Sequence, residues 1–516
     1  MKFAHLAVFL LAVKVLAAQN QQPILSNVQV QLNSNHSFTI SFDLTDAESD
    51  AMTVSLSAGP AGSSALSYVT ANAVGDIGDG ILPGNGKQIT WDFSANAADT
   101  MNEFRIMLVA DDHQPIDIQS LVDLVDSVRM FGDLSFIEGI RHRQTGTAHL
   151  QEVKDFIGFQ FLDKGLETYS QNVPFGNYTG QNLVGKRSGT GQTGETYILG
   201  GHFDSVDDAP GADDNGSAVA GMLEAMRILS QYPSKKTIKF IGFDLEEEGL
   251  IGSQKYVSSG ITNGETVAGM IDFEMIGYYT EVPNTQTFPV GFNVFFPAAY
   301  NDVASQEFKG NFITNVGKVG SSATLMEQYK TSANTYVPDL RVINVQAPNP
   351  FPPDLGRSDH APFWIANYPA IMLTDGANFR NPNYHTPGDS LGTINFSFMT
   401  NVVKGAVATL AELAELQHAD NYWVDTDFYS PSNEAFDCVI TISPNPAKGQ
   451  ISVDWKGCAR PVQRLSLYDS FGRKLMSKTP TGVNETLNLD QLSSGVYFLK
   501  IENSMGSKIE RIVVEK

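Results

Sequence analysis

Cysteine is almost missing from this chain: the 516 residues hold two, Cys438 and Cys458. Both lie near the C-terminus, which excludes a thiolate metal cluster in the middle of the chain unless domains fold back on one another. Export would permit a disulfide between them, and two free thiols is the other reading. Basic residues are also scarce, 34 against 57 acidic ones, for a formal net charge of -23. Such a surface repels nucleic acid and anionic membranes, which argues against both as partners; solubility is its ordinary consequence. Long apolar runs are missing too. The longest, Leu6 to Leu16, is broken by Lys14 and falls well short of the roughly 20 residues a spanning helix needs.

What is present begins with a targeting pattern. Met1 and Lys2 open a short charged region, the apolar run follows, and Ala17 and Ala18 supply small residues before Gln19. This is the layout of a secretory signal peptide over residues 1–18, and it predicts an exported protein. The length of the remainder predicts about three or four domains. Residues 19–115 alternate apolar and polar positions, as in Phe38-Thr-Ile-Ser-Phe-Asp-Leu44, between turn-rich clusters such as Leu82-Pro-Gly-Asn-Gly-Lys87. That pattern predicts an immunoglobulin-like or fibronectin-like β-sandwich. Residues 116–419 change to strands alternating with helices. Tyr197-Ile-Leu-Gly200 and Ile238-Lys-Phe-Ile-Gly-Phe243 are apolar enough to be buried strands. Gly216 to Leu229 is predicted helical, with Val219, Met222, Met226 and Leu229 on one face. The order predicts an α/β fold with a mixed, largely parallel sheet flanked by helices. Residues 420–436 form a polar, aromatic connector, and residues 437–516 a second small β-module of short strands and glycine turns.

Chemistry concentrates in the middle region, where five segments deliver carboxylates or imidazoles at strand ends. Gly200-Gly-His-Phe-Asp-Ser205 places His202 and Asp204 on one face. Pro210-Gly-Ala-Asp-Asp-Asn-Gly-Ser217 carries Asp213 and Asp214 into a helix, where acids also serve as caps. Leu245-Glu-Glu-Glu-Gly249 follows an apolar strand. Adjacent glutamates in a cleft repel one another, and a dication resolves that repulsion. Asp272-Phe-Glu274 puts two acids on one strand face. Asn383-Tyr-His-Thr-Pro-Gly-Asp389 comes last, preceded by Arg357-Ser-Asp-His-Ala-Pro362. Imidazole and carboxylate without cysteine point to zinc, with cobalt or manganese as replacements. Phe363, Trp364, Phe379 and Arg380 either border a pocket beside these groups or belong to the core.

The segments HFDSV, PGADDNGSA, EEEGLIGS, FEMIGY, SDHAPFW and YHTPGDS, in this order, resemble the successive motifs of the M28 zinc aminopeptidases. The resemblance implies the phosphorylase/hydrolase-like zinc peptidase fold and a secreted exopeptidase that holds two zinc ions and removes residues from peptide or protein N-termini. It implies that Asp214 bridges both metals, that Glu247 and His385 complete one site, and that His202 and Glu274 complete the other. Asp272 and Asp213 are the neighbouring alternatives to Glu274 and Asp214. Glu246 becomes the general base, Tyr384 a partner for the tetrahedral oxyanion, and Asp204 and Asp359 supports behind the ligands. A glutaminyl-peptide cyclotransferase, the same fold with one zinc, is the nearest alternative; Tyr384 before the final histidine and the run of glutamates argue against it. The C-terminal module resembles the sorting domain of the type IX secretion system through Ser443-Pro-Asn-Pro-Ala447, Tyr468-Asp-Ser-Phe-Gly472 and Ser494-Gly-Val-Tyr-Phe-Leu499. That implies a partner in the type IX machinery and a destination outside the outer membrane, released or surface-attached.

Overall fold

The computed structural model describes residues 21–33, 37–60, 67–68, 72–93, 103–191, 194–427, 439–457, 461–469, 474–480, 482–503 and 506–516. Residues 1–18, expected to be a signal peptide, and Cys438 and Cys458 lie outside them. No helix among the described residues is long and apolar enough to cross a membrane.

An eight-stranded mixed sheet organises the middle of the chain. At its centre Glu195–His202 runs parallel to Thr237–Phe243 on one side and to Thr266–Glu274 on the other. Ala370–Thr374 continues the parallel run. Beyond it Ile313–Lys318 joins antiparallel and pairs in parallel with Val342–Ala347. On the opposite flank Tyr178–Arg187 and Glu167–Phe175 close the sheet as an antiparallel hairpin. The central strands are buried on both faces, so they read as continuous apolar runs rather than alternations. Two apolar clusters cover the faces, one built around Met222, Met226, Val402 and Val403, the other around Tyr256, Phe363 and Trp364.

The helix Ala218–Leu229 differs from its predicted one-faced pattern. Apart from Arg227 every residue is buried, because the sheet lies on one side and the helices Ser127–Ile137 and Phe396–Leu413 on the others. Glu224, fully buried, survives there because Arg129 reaches it at 2.6 Å. Phe363 and Trp364 are core residues with no exposed surface.

The N-terminal region forms two antiparallel sheets around Phe38, Ile40, Phe42, Leu56 and Trp91. One of them contains a strand from far along the chain. Ala419–Asp427 pairs antiparallel with Glu103–Asp111, so the first half of the stretch expected to be a connector is a sheet strand. Its composition hid this: Asp420, Asn421, Asp425 and Asp427 give no clean apolar face, and the backbone hydrogen bonds to the neighbouring strand decide the conformation. Trp423 from this strand lies under the Arg105 guanidinium, 4.5 Å from centroid to carbon. The remaining connector residues lie outside the described set. At the C-terminus a three-stranded and a four-stranded sheet pack around Ile451, Trp455, Leu467, Leu499 and Ile512.

Candidate metal centre

The functional side chains sit where the parallel strands end, as expected for an open α/β sheet. His202 is the last residue of its strand and Glu274 of the neighbouring strand Thr266–Glu274, while Glu246 and Glu247 come three and four residues after Phe243, the end of a third strand. Asp214 lies in the irregular turn Ala212–Ser217 that opens the helix Ala218–Leu229. His385 comes from the loop after Ala370–Thr374. Gly201 permits this convergence: a Cβ there would fall 2.8 Å from the Phe273 carbonyl and 2.9 Å from the Ala218 side chain.

The groups form three overlapping sets: two share Asp214, and the third is His202, Glu246 and Glu247. His202 Nε2 is 3.4 Å from both Asp214 Oδ1 and Glu274 Oε2. His385 Nε2 is 3.0 Å from Asp214 Oδ2 and 3.2 Å from Glu247 Oε2. His202, Asp214 and Glu274 can converge on one ion, as can Asp214, Glu247 and His385, the ligand atoms of each set lying within 4.8 Å of one another. Asp214 therefore serves both sets, one oxygen facing each imidazole. Glu246 belongs to neither of these two; its Oε2 lies 3.9 Å from His202 Nε2, facing the same space.

The rival acids are placed elsewhere. Asp272 shares a strand face with Glu274, but two residues along a strand is about 7 Å. Fully buried, it accepts from the His360 backbone N–H and lies 3.0 Å from His360 Nδ1. Asp213 turns the other way, accepting from Gly277 N–H and the Asn381 side-chain amide.

The electrostatics call for a cation. Burial, then repulsion from Asp214, pushes the Glu247 carboxyl up to about 7 despite His385. Burial likewise drives Glu246 well above its ordinary value, with Glu247, Glu274 and Asp359 adding repulsion that His202 only partly offsets. Burial alone would make His385 less basic; Asp214 and Glu247 reverse that and raise it to about 10. Glu247 Oε1 is buried without a hydrogen-bond partner. Crowded carboxylates with an orphaned oxygen and two imidazoles form a donor set suited to a borderline dication such as zinc.

Several neighbours hold these groups in place. Asp204 accepts from the backbone N–H of both Glu246 (3.1 Å) and Glu247 (3.2 Å). His202 Nδ1 is 3.2 Å from the Asp204 carbonyl, a pairing that orients the ring with Nε2 toward the cluster. Asp359 is fully buried behind the cluster, where burial and Asp272 raise its carboxyl. Tyr384 stacks on the His385 ring at 3.8 Å, and its hydroxyl accepts from Arg357 at 2.9 Å.

Other supports lie inside the same segments, in positions whose role the sequence did not distinguish. Asp389 accepts from the N–H groups of Asp213 (2.9 Å) and Asp214 (3.0 Å), capping the turn. Ser358 donates to Glu274 Oε2 at 2.7 Å. Asn215 donates to the Phe273 carbonyl and accepts from Met275 N–H, tying the helix start to the strand that ends in Glu274. Beside the centre opens a cavity of about 90 Å³, with Glu274 and Tyr384 on its wall and Phe288, Phe292, Val316, Val345, Leu355 and Met372 among the apolar lining. Of the aromatic and basic residues near the motifs, Phe379 lines this cavity. Arg380 is buried and donates to Gln286 and the Phe312 carbonyl.

Residues 182–410 match peptidase family M28. The uncharacterized protein YfbL of Escherichia coli (strain K12) is 33% identical over 275 residues, which cover 51% of this chain and 80% of YfbL. The chain belongs to peptidase family M28. Among other M28 relatives, Aminopeptidase YwaD of Bacillus subtilis (strain 168) is 30% identical over 233 residues, covering 43% of this chain and 42% of YwaD. The solved structure of BSAP, a zinc aminopeptidase from Bacillus subtilis, aligns at 26% identity and a TM-score of 0.37, over 47% of this chain and 52% of BSAP. This M28 chain thus spans only about half the length of those two proteins. Residues 441–515 match the secretion system C-terminal sorting domain.

Proposed function

We propose that the protein is a secreted zinc aminopeptidase that uses two zinc ions to hydrolyse the first peptide bond of peptides and proteins. The observation that carries this is the pair of ligand sets sharing Asp214, with Glu246 outside both and facing the same space. His202, Asp214 and Glu274 would hold one zinc, and Asp214, Glu247 and His385 the other. The ions supply Lewis acidity, which lowers the pKa of a water and polarises the scissile carbonyl. Glu246 takes the proton of the attacking water and carries it to the departing amine. Tyr384 steadies the developing oxyanion: Arg357 already occupies an acceptor position on its hydroxyl, which leaves the phenol proton free to donate. The surplus of carboxylate around the centre favours a free, protonated α-amino group and so exo cleavage. The C-terminal sorting domain supports export by the type IX machinery to the cell surface or beyond.

Purified protein is expected to hydrolyse aminoacyl p-nitroanilides but not their N-acetylated forms. Chelator should abolish the activity and zinc restore it. Activity on neither series, with cyclisation of an N-terminal glutaminyl peptide, would replace this reading by the cyclotransferase. Chelation is also expected to lower the melting temperature, since ions that bind only the folded chain stabilise it by about 2.7 kcal/mol at a hundredfold excess over Kd. An unchanged melting temperature after verified metal removal would count against a centre built into the fold.

The apolar cavity gives the substrate's first side chain a place. A leucine or phenylalanine at the N-terminus is therefore expected to be preferred over alanine. Val316, 1% exposed and on the cavity wall, can be enlarged to test this. In Val316→Phe the leucine-to-alanine ratio of kcat/KM should fall about 10–200-fold, the range spanned by small changes in an apolar pocket. An unaltered ratio would move the side-chain pocket elsewhere.

A further inference from the structure

Arg141 lies fully buried behind the centre and makes none of the ligand contacts. Its guanidinium is spent on main-chain carbonyls: Nε donates to Phe203 (2.6 Å), Nη1 to Ile137 (2.8 Å), Gly139 (2.8 Å) and Pro210 (2.7 Å), and Nη2 to Gly211 (2.8 Å). Its backbone joins the same knit, its N–H donating to Ser205 Oγ while its carbonyl accepts from Ser205 N–H. Among the described residues no carboxylate forms an ion pair with it, although Asp389, Asp204, Asp214 and Glu247 all feel its charge. A buried cation without a carboxylate partner is expensive. The carbonyls it gathers show what offsets that cost. Phe203 follows His202 directly, and Pro210 and Gly211 lead straight into the turn that carries Asp214. Gly211 is shaped to admit it, with φ +61° and room so tight that a Cβ would come within 2.8 Å of Arg141 Nη2.

We propose that Arg141 is the positioning residue of the metal centre, its planar fork fixing the backbone that carries His202 against the turn that carries Asp214 so that both reach one ion. The proposal rests on the two-zinc reading above. Lysine keeps the charge but is a point donor on a flexible stem, and it cannot gather carbonyls from three segments.

The test is a cobalt(II) titration of the metal-free full-length protein, followed by calorimetry and by the visible absorption of the bound cobalt. Arg141→Lys is expected to bind cobalt about 10–100-fold more weakly, the usual cost of losing an outer support of a metal ligand. Its cobalt spectrum should also change, a signature that general destabilisation would not produce. Binding and spectrum equal to wild type overturn the role of Arg141 while leaving the metal centre standing. Wild-type protein that binds no cobalt overturns the two-metal reading and this proposal with it. Should metal-free Arg141→Lys be unfolded, Ser205→Ala removes a different leg of the knit and takes its place. A loss of about 2–10-fold in cobalt affinity, the worth of one hydrogen bond, then supports the proposal. Wild-type affinity in that variant overturns it.

Discussion

Glu246→Gln is expected to lower kcat on a leucyl p-nitroanilide by about 10²–10⁴-fold, the contribution typical of a positioned general acid–base group. The substitution is close to isosteric and leaves the backbone N–H of residue 246 on Asp204, where it now bonds at 3.1 Å. It also leaves both proposed ligand sets intact. Metal content measured by elemental analysis should therefore stay at the wild-type value, and KM should change little. The loss then falls on kcat and kcat/KM alike, as expected when a group acts in the transition state alone. Adjacent Glu247 gives the internal contrast. Glu247→Gln removes a proposed ligand paired with His385 at 3.2 Å, so it should lose metal as well as rate. If Glu246→Gln keeps full activity, or loses metal as Glu247→Gln does, the division of labour between the two glutamates is wrong.

The parts of this centre that could be read in the sequence are those in which chemistry and local pattern coincide. A carboxylate or imidazole at or just after an apolar strand announces a strand end, as at His202, Glu246 and Glu274, whereas Asp214 and His385 come from a turn and a loop. Sequence alone could not choose between neighbours. Asp272 and Glu274 alternate onto one face, and a strand pattern treats them alike. Burial and the contact with His360 separate them. Asp213 and Asp214 are adjacent in a turn whose irregular backbone, with Asp214 at φ -102° and ψ 89°, sends the side chains to different partners.

What lay beyond reading is held together by main-chain groups distant in sequence. Arg141 sits 62 and 70 residues from the Phe203 and Gly211 carbonyls that it binds, and it has no acidic partner to suggest a role. Asp389 reaches the N–H groups of Asp213 and Asp214 across 176 and 175 residues. Backbone strain was equally hidden. Leu245, Met275 and His385, beside or within the ligand set, all hold positive φ that their side chains disfavour. The strand Ala419–Asp427 was illegible for a related reason, since it gains its conformation from the edge it covers rather than from its own residues.

Asp214→Asn carries the second large effect, because it removes the one carboxylate common to both ligand sets. Wild-type protein, reconstituted and dialysed, should hold two zinc ions per chain on the proposed reading, and the variant one or none. Activity should fall by at least as much as in Glu246→Gln, since the variant loses ions rather than a proton carrier. The mechanism can be resolved further by comparing ligands that serve a single set. His385→Ala removes a partner of Asp214 and Glu247 only, and His202→Ala removes a partner of Asp214 and Glu274 only. Each should weaken the binding of one ion more than the other, giving a titration with one strong and one weak step. Asp214→Asn should weaken both steps together. Removing Asp214 relieves the repulsion that raises Glu247, but it also removes a carboxylate that His202 and His385 hold well below its ordinary range against the effect of burial, and an acceptor that raises His385. Those lost pairs are favourable, so the metal-free variant is expected to be less stable than metal-free wild type near neutral pH, as well as binding zinc poorly. Thermal unfolding of the two metal-free proteins checks this. A variant as stable as wild type without metal would mean that the pairs of Asp214 with His202 and His385 do not form in the metal-free protein. A variant that retains both ions would mean that the two sets are joined through another group.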